Sequence, residues 1–123
     1  MKFAKYTFYV AGIYGLIALL PQYFLEAKNG RDYPPAITHP EYYYGFLGVT
    51  IAFQVVFLFI ANNPVRYRPL MLLSALLEKF PFTIAVYALY ALGRVHSLMV
   101  VFATIDLILG LLFIVSFLKT KKD

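Results

Sequence analysis

The sequence predicts an all-α integral membrane protein: a four-helix bundle with up-down-up-down topology and both termini cytoplasmic. In this chain 62% of the residues are hydrophobic and 14% are charged, whereas about a quarter are charged in soluble domains. The apolar residues fall into four stretches, each near the ~20 residues that a helix needs to cross a bilayer. The lysines and arginines lie mostly on one side of the resulting topology. We expect residues 1–123 to form a single membrane domain.

The first predicted span is 6–24. It is the least regular of the four, because tyrosines interrupt it and a proline falls near its end. A competing interpretation is a cleaved signal peptide, with Lys2 and Lys5 as its basic end and 13–20 as its apolar core. The residues after Leu20 lack a good small-x-small cleavage site, which favours a retained helix.

The segment 26–41 follows and is predicted to be an outer loop, the longest connection in the chain. Asn29-Gly30 predicts a turn there, and the prolines after it stiffen the second half of the loop. The second predicted span, 42–61, is the most uniform, and Gln54 is its only strongly polar residue.

The third and fourth predicted spans are 69–92 and 97–118. Only a few residues join them, so the two helices should be antiparallel neighbours. The third carries Glu78 and Lys79, and the fourth carries Asp106. A charge inside a span is expensive and usually faces a bundle interior or a cavity, so this triplet is the candidate ligand-binding or ion-coupling site.

Lys79 and Asp106 should lie at matching depth. Lys79 is about 15 Å from the cytoplasmic edge and Asp106 about 18 Å, at 1.5 Å per residue. We therefore predict that they pair, directly or through Glu78, and that Gln54 completes a polar network. Glu78 and Lys79 are adjacent, about 100° apart around a helix, so we expect them to point in different directions.

Pro81 adds a predicted hinge, because a proline inside a helix removes one backbone hydrogen bond and disturbs the carbonyl of Leu77. That carbonyl could then bind a cation or a hydrogen-bond donor. Three alternatives stay open for the triplet. The charges form a structural bridge, they face a partner subunit, or they lie near the interface and snorkel.

Each span has a row of small residues through which helices in lipid can approach closely. Ala103 and Gly110 flank Asp106 at helical spacing, which places this carboxylate on a packing face. The predicted helix-packing positions are Gly15, Gly45, Gly48, Ala103 and Gly110.

Topology is predicted from the basic residues, because cations are retained on the cytoplasmic side. The chain ends and the 62–68 loop carry seven of them, namely Lys2, Lys5, Arg66, Arg68, Lys119, Lys121 and Lys122. The opposite side carries three, namely Lys28, Arg31 and Arg94.

Several classes of site have no support in the sequence. The chain has no cysteine, which excludes thiolate metal sites, disulfides and cysteine nucleophiles. His39 and Glu41 are too few for a zinc site, which needs three or four ligands. No cofactor and no catalytic residue are predicted. The net charge of +5 lies at the ends of apolar stretches, so it indicates membrane lipid rather than nucleic acid as the partner.

The layout resembles three families without a motif that carries residues over. Small multidrug-type exporters are similar in length and helix number, but their membrane carboxylate lies in the first helix, where this chain has none. EXPERA-type sterol-binding and isomerase proteins are similar in their proline-containing first outer loop, here Pro34-Pro35-Ala36, and in a basic tail. This chain has Gln54 where their acidic pattern would lie. DoxX-like proteins share the four-helix layout.

The functional hypothesis that ranks first is a non-enzymatic membrane protein. It would bind a hydrophobic small molecule within the bundle or serve as an accessory subunit of a larger membrane complex. The alternative is a proton- or ion-coupled small transporter acting as a homodimer, and a lipid or sterol isomerase ranks third. Compact loops favour a bacterial inner membrane. The basic tail resembles a dilysine signal, which leaves the endoplasmic reticulum as the alternative.

Overall fold

The computed structural model describes residues 2–120, and this part of the chain is all-helical, without strands. Four helices are long and apolar enough to cross a membrane, which indicates a multi-pass membrane protein. Each coincides within one helical turn with a predicted span, and a fifth, short helix follows the first. In chain order the helices are α1 (Lys2–Phe24), α2 (Glu26–Asp32), α3 (Pro40–Asn62), α4 (Arg68–Ala91) and α5 (Ser97–Lys119).

The core is an aromatic cluster where α1, α3 and α5 meet. The ring of Phe8 stacks on that of Phe113, with 4.1 Å between their centroids. Phe57 meets both rings edge-on, at 5.9 Å from Phe8 and 4.9 Å from Phe113. All three rings are fully buried, and Ala4 and Ala11 beside Phe8 let α1 come close to its neighbours. The first hydrophobic segment is therefore an integral part of the bundle core.

The helices do not all contact one another equally. α1 packs along α3 and also touches α5, while α4 packs mainly against α5. α3 and α4 touch each other only slightly. This uneven packing leaves a gap between α3 and α4, and the candidate site lies at its inner end.

The connection between the first two spans differs from the prediction. α2 includes Asn29 and Gly30, so the turn predicted at these residues is wrong. The amide Nδ2 of Asn29 donates to Gln22 Oε1 at 2.7 Å and to the Tyr43 hydroxyl at 3.1 Å. Tyr43 in turn donates to the backbone carbonyl of Gln22 at 2.6 Å. These contacts hold α2 against the ends of α1 and α3, and they override the local turn preference of Asn-Gly.

Two of the predicted packing glycines, together with Ala103, lie at close contacts between helices. A Cβ added to Gly15 would overlap the side chain of Gln54, and one added to Gly110 would lie 2.5 Å from the ring of Phe80. Ala103 is fully buried on the same face of α5 as Gly110. At these positions α1 approaches α3, and α5 approaches α4, more closely than a larger side chain would allow.

The other two predicted packing glycines do not bring helices together within the described chain. Nothing lies within 4 Å of a Cβ built on Gly45, and Gly48 has only the Tyr23 hydroxyl at 3.9 Å. Both glycines are exposed, because α3 turns a different face towards α1, which includes Leu47 and Gln54. That part of the packing prediction is therefore corrected: this row of small residues lies on the outer surface of the bundle.

α4 is not a regular α-helix along its length. Ser74–Lys79 form a π-helical segment, and the N–H of Phe80 bonds to the carbonyl of Ala75, five residues earlier. Phe80 and then Pro81 follow, at the start of the last α-helical part of α4. A π-segment is a rare feature that is frequent at functional sites. Here it carries both Glu78 and Lys79.

Arg68, at the start of α4, closes the end of α5. Its Nε lies 3.1 Å from the carbonyl of Phe117 and 2.7 Å from that of Thr120, and donates to both. The guanidinium carbon lies 3.7 Å from the centroid of the Phe117 ring. The last carbonyls of a helix have no partner within the helix, so this arginine satisfies groups that would otherwise be unpaired.

Replacing Arg68 with leucine is expected to lower the free energy of unfolding by about 1.5–3 kcal/mol, the range for hydrogen bonds to a charged group. Amide hydrogen exchange at Phe117 and Thr120 should become faster, because the end of α5 loses its cap. Arg66→Leu is the matched control, since Arg66 is exposed and lies only over the Tyr67 ring, at 5.5 Å. Equal exchange rates in the two variants would contradict the capping role.

Candidate functional site

The candidate site is centred on the ammonium group of Lys79. Its Nζ lies 3.1 Å from Asp106 Oδ1 and donates a hydrogen bond to it. The same Nζ lies 3.4 Å from Glu78 Oε2. The side chain of Lys79 is only 4% exposed, and those of Glu78 and Asp106 are 9% and 19% exposed. The structure thus brings the three charged side chains of α4 and α5 into one buried cluster, with Lys79 in contact with Asp106 as the depth argument requires.

Glu78 and Lys79 are adjacent on α4, and the ends of their side chains meet, with Lys79 Nζ 3.4 Å from Glu78 Oε2. The π-segment has more residues per turn than an α-helix, so consecutive side chains are closer in direction than the roughly 100° assumed from the sequence. The expectation that the two side chains point in different directions stays a prediction. Of the two, Lys79 is the one that contacts Asp106 on the neighbouring helix.

The face of α5 opposite Lys79 is made of small residues. A Cβ added to Gly110 would lie 3.2 Å from the Cβ of Lys79, so the backbones of α4 and α5 are close there. One turn further along α4, the hydroxyl of Thr83 lies 3.1 Å from the carbonyls of both Lys79 and Ala103. Thr83 therefore joins the two helices beside the charged cluster, a role that the sequence analysis missed.

Gln54 of α3 is also buried, at 1% exposure. Its Nε2 donates to the carbonyl of Thr50 at 2.9 Å. Its Oε1 lies over Gly15 and has no hydrogen-bond partner within residues 2–120. Glu78 Oε2 likewise has no hydrogen-bond donor there, although Lys79 is near it. Gln54 Oε1 is thus an unsatisfied buried acceptor, at a cost of about 1–3 kcal/mol, while Glu78 Oε2 has the ion-pair contact with Lys79 at 3.4 Å and no hydrogen bond.

A cleft of about 180 Å³ leads from the surface of the bundle, between α3 and α4, to the two carboxyl groups. Glu78 and Asp106 line it, and Lys79 lies behind them. Three phenylalanines supply aromatic walls, which the sequence analysis did not identify because phenylalanine is frequent throughout the chain. The lining residues are Phe46, Val49, Thr50, Phe53, Leu77, Glu78, Phe82 and Asp106.

The rings of Phe46 and Phe82 mark the mouth of the cleft. Their centroids are 6.1 Å apart with an angle of 30° between the planes. Leu77 and Val49, next to them, are 66% and 64% exposed. The cleft therefore opens sideways, through an apolar surface, rather than towards either end of the bundle.

Pro81 lies two residues after the end of the π-segment, where its missing N–H leaves the Leu77 carbonyl without the usual donor four residues later. Leu77 itself lines the cleft. The predicted hinge at Pro81 stays a prediction.

The polar residues between the first two spans form exposed pairs. His39 Nδ1 lies 3.8 Å from Glu41 Oε1, and Lys28 forms an ion pair with Asp32. The hydrogen bond from Lys28 lowers the pKa of the Asp32 carboxyl below its ordinary value. It raises the pKa of the Lys28 ammonium above its ordinary value. Within the described residues no group of three or more His, Cys, Asp or Glu side chains could hold a metal ion.

Comparison of the chain with protein-family models, with curated proteins and with solved structures gave no match.

Proposed function

We propose that this protein is a non-enzymatic, multi-pass membrane protein that binds a hydrophobic small molecule in the cleft between α3 and α4. The observation that carries the proposal is the sideways opening of the cleft, with aromatic and aliphatic walls and with Glu78 and Asp106 at its inner end. A molecule dissolved in lipid could enter from the side without crossing a polar surface. Ligand sites of this kind combine an apolar lining with a few polar groups that fix orientation.

The energetics of the inner end support a binding role over a purely structural one. A structural bridge needs one cation and one carboxylate, whereas this site has two carboxylates and one lysine. The additional carboxylate is costly in an apolar environment unless it takes up a proton or another group compensates it. A bound molecule with a suitable polar group would supply that compensation.

The proposal includes the topology. The bundle crosses the membrane as up-down-up-down, with both termini in the cytoplasm, because seven of the ten lysines and arginines outside the spans then lie on the cytoplasmic side. Lys121 and Lys122 belong to this count and lie outside the described residues. We place the protein in a bacterial inner membrane, with the endoplasmic reticulum as the alternative.

A proton- or ion-coupled transporter acting as a homodimer is the second candidate function. One observation favours it: the charged cluster lies on a π-segment followed by Pro81, and interrupted helices carry the binding sites of many transporters. A role as an accessory subunit of a larger membrane complex uses the same fold without a ligand. The isomerase hypothesis needs an enclosed apolar pocket above the charges, and the cleft is open to the side.

Photolabelling tests the proposed function. We expect a diazirine-bearing alkylamine or alkyl alcohol of the same length, in liposomes, to label Leu77 saturably, because a site has finite capacity. Ile84 is the internal control: it lies on the same helix, is 68% exposed against 66% for Leu77, and does not line the cleft. The labelling of Ile84 should rise linearly with probe concentration. Peptide mass spectrometry measures the labelling of Leu77 and of Ile84.

A matched pair of variants controls for folding. Val49→Trp adds bulk at the mouth of the cleft, whereas Val10→Trp adds it at an equally exposed position on α1; both valines are 64% exposed. Val49→Trp should remove the saturable component at Leu77, and Val10→Trp should retain it. Linear labelling of Leu77 by both probes in the wild type would overturn the proposed function.

A further inference from the structure

We propose that the cleft selects an amphiphile whose small head group carries one positive charge and at least one N–H, such as an alkylammonium. This inference rests on the proposed function and names the chemical class of its ligand. The charge of the cluster, a carboxylate oxygen without a hydrogen bond, the aromatic walls and the volume of the cleft support it.

The first argument is the charge of the cluster. Lys79 neutralises one carboxylate, so with both acids ionised the group of three side chains carries a net charge of −1. Lys79 does not line the cleft, whereas Glu78 and Asp106 do. A molecule in the cleft therefore meets the two acids and not the base. One positive charge on the ligand would neutralise the cluster.

The second argument is the carboxylate oxygen without a hydrogen bond. Glu78 Oε2 makes no hydrogen bond within residues 2–120, because the Lys79 ammonium stays 3.4 Å away from it as an ion-pair partner. The Glu78 side chain is 91% buried and lines the cleft. Its Oε2 atom accepts hydrogen bonds and cannot donate one while the acid is ionised. A primary or secondary ammonium would supply both the donor and the charge. A quaternary ammonium would supply only the charge, and an alcohol only the donor.

The third argument is the aromatic lining. Phe46, Phe53 and Phe82 line the cleft, and aromatic rings attract a cation placed over their faces. The bundle already uses this interaction behind the cleft, where Lys79 Nζ lies 5.3 Å from the centroid of the Phe57 ring. The phenylalanine rings near the mouth of the cleft and the carboxylates of Glu78 and Asp106 at its inner end would both attract an organic cation.

The fourth argument is volume. The cleft holds about 180 Å³, below the ~300–1,000 Å³ of sites that enclose a whole small molecule. It therefore takes a head group, while the apolar tail leaves through the sideways opening and remains in lipid. The described lining offers too few oxygens for a hard divalent cation, since Ca²⁺ takes six to eight oxygen ligands.

Competition against the saturable labelling of Leu77 tests the inference on the wild-type protein. The competitors are dodecylamine, dodecyltrimethylammonium and dodecanol in zwitterionic liposomes, together with NaCl and CaCl₂. We expect dodecylamine to compete at a mole fraction about tenfold lower than dodecanol, equivalent to about 1.4 kcal/mol. Dodecyltrimethylammonium should fall between them, and the two salts should not compete.

Two variants separate the effect of the site's carboxylates on the preference for dodecylamine from the effect of surface charge in general. Glu78→Gln should reduce the tenfold preference for dodecylamine to about twofold or less, because it removes the additional charge. Asp32→Asn removes an exposed acid outside the spans and should leave the preference unchanged. Because the wild-type comparison needs no variant, the inference stays testable even if Glu78→Gln does not fold.

The outcomes distinguish the inference from the proposed function. Equal competition by dodecanol, or an unchanged preference in folded Glu78→Gln, overturns the cationic head group while leaving a hydrophobic site in place. Competition by NaCl or CaCl₂ overturns it in favour of an inorganic cation. Labelling that never saturates with either probe overturns the proposed function itself.

Discussion

Replacing Lys79 with methionine is expected to lower the free energy of unfolding by about 3–5 kcal/mol, the range for breaking a buried ion pair. The variant leaves Glu78 and Asp106 next to each other in an apolar surrounding, without the ammonium that lies 3.1 Å from one and 3.4 Å from the other. Methionine has a similar length and fills the same space, so the loss reports on charge rather than on a cavity. Denaturant titration of the purified protein in mixed micelles measures it.

Companion variants separate a structural bridge from a binding site. If the bridge alone matters, adding Asp106→Asn and Glu78→Gln to Lys79→Met should restore most of the stability, because no unpaired charge then remains. The same triple variant should lose the saturable labelling of Leu77 if the acids bind the ligand. Lys28→Met is the matched control, since Lys28 forms an exposed ion pair with Asp32 and such pairs contribute little. Wild-type stability of Lys79→Met would contradict the role given to the cluster.

Gly15→Ala is expected to lower the free energy of unfolding by about 1–3 kcal/mol through overpacking. The new Cβ would lie on the side chain of Gln54, including its Cγ at 2.7 Å, so the whole side chain must move and not only its end. Gln54 is 1% exposed and donates to the Thr50 carbonyl, so it has little free space and a hydrogen bond to lose. Thermal unfolding of the purified variant measures the effect.

The matched control is Gly45→Ala on the neighbouring helix. Nothing lies within 4 Å of its Cβ, so this substitution should be neutral or slightly stabilising, because alanine favours helix over glycine by up to about 1 kcal/mol. The double variant Gly15→Ala with Gln54→Ala tests the mechanism. If the clash is with Gln54, the two losses should be clearly less than additive. Equal melting temperatures for Gly15→Ala and Gly45→Ala would rule out the proposed close contact.

The parts of the fold that depend on length and composition could be predicted from the sequence. The four long helices were predicted, because about 20 apolar residues are needed to cross a bilayer and few other structures bury so many. The contact between Lys79 and Asp106 could also be predicted, because a short connection and a constant rise per residue place the two side chains at equal depth.

The parts of the fold that depend on which face of a helix is buried could not be predicted from the sequence. In a soluble helix the apolar stripe identifies the packed face, but lipid and protein interiors are both apolar, so that contrast is lost. Gly15 and Gly45 therefore look equivalent in the sequence, although only Gly15 lies at a helix contact. The Asn29-Gly30 turn is wrong because Asn29 bonds to Gln22 and Tyr43, 7 and 14 residues away, and these contacts lie outside the dipeptide that predicts the turn.

The π-segment sets the rotational phase between the two halves of α4. The buried side chains Met71, Ala75, Lys79 and Thr83 recur at every fourth position. In a regular α-helix a spacing of twelve residues would leave Met71 and Thr83 about 120° apart, so both could not face α5. One additional residue in a wide turn removes about 100° of that difference and aligns the halves. If Ser74–Lys79 formed a regular α-helix instead, the eight-residue spacing would direct the ammonium group of Lys79 about 80° away from the direction of Met71, although every charge and every span would be unchanged.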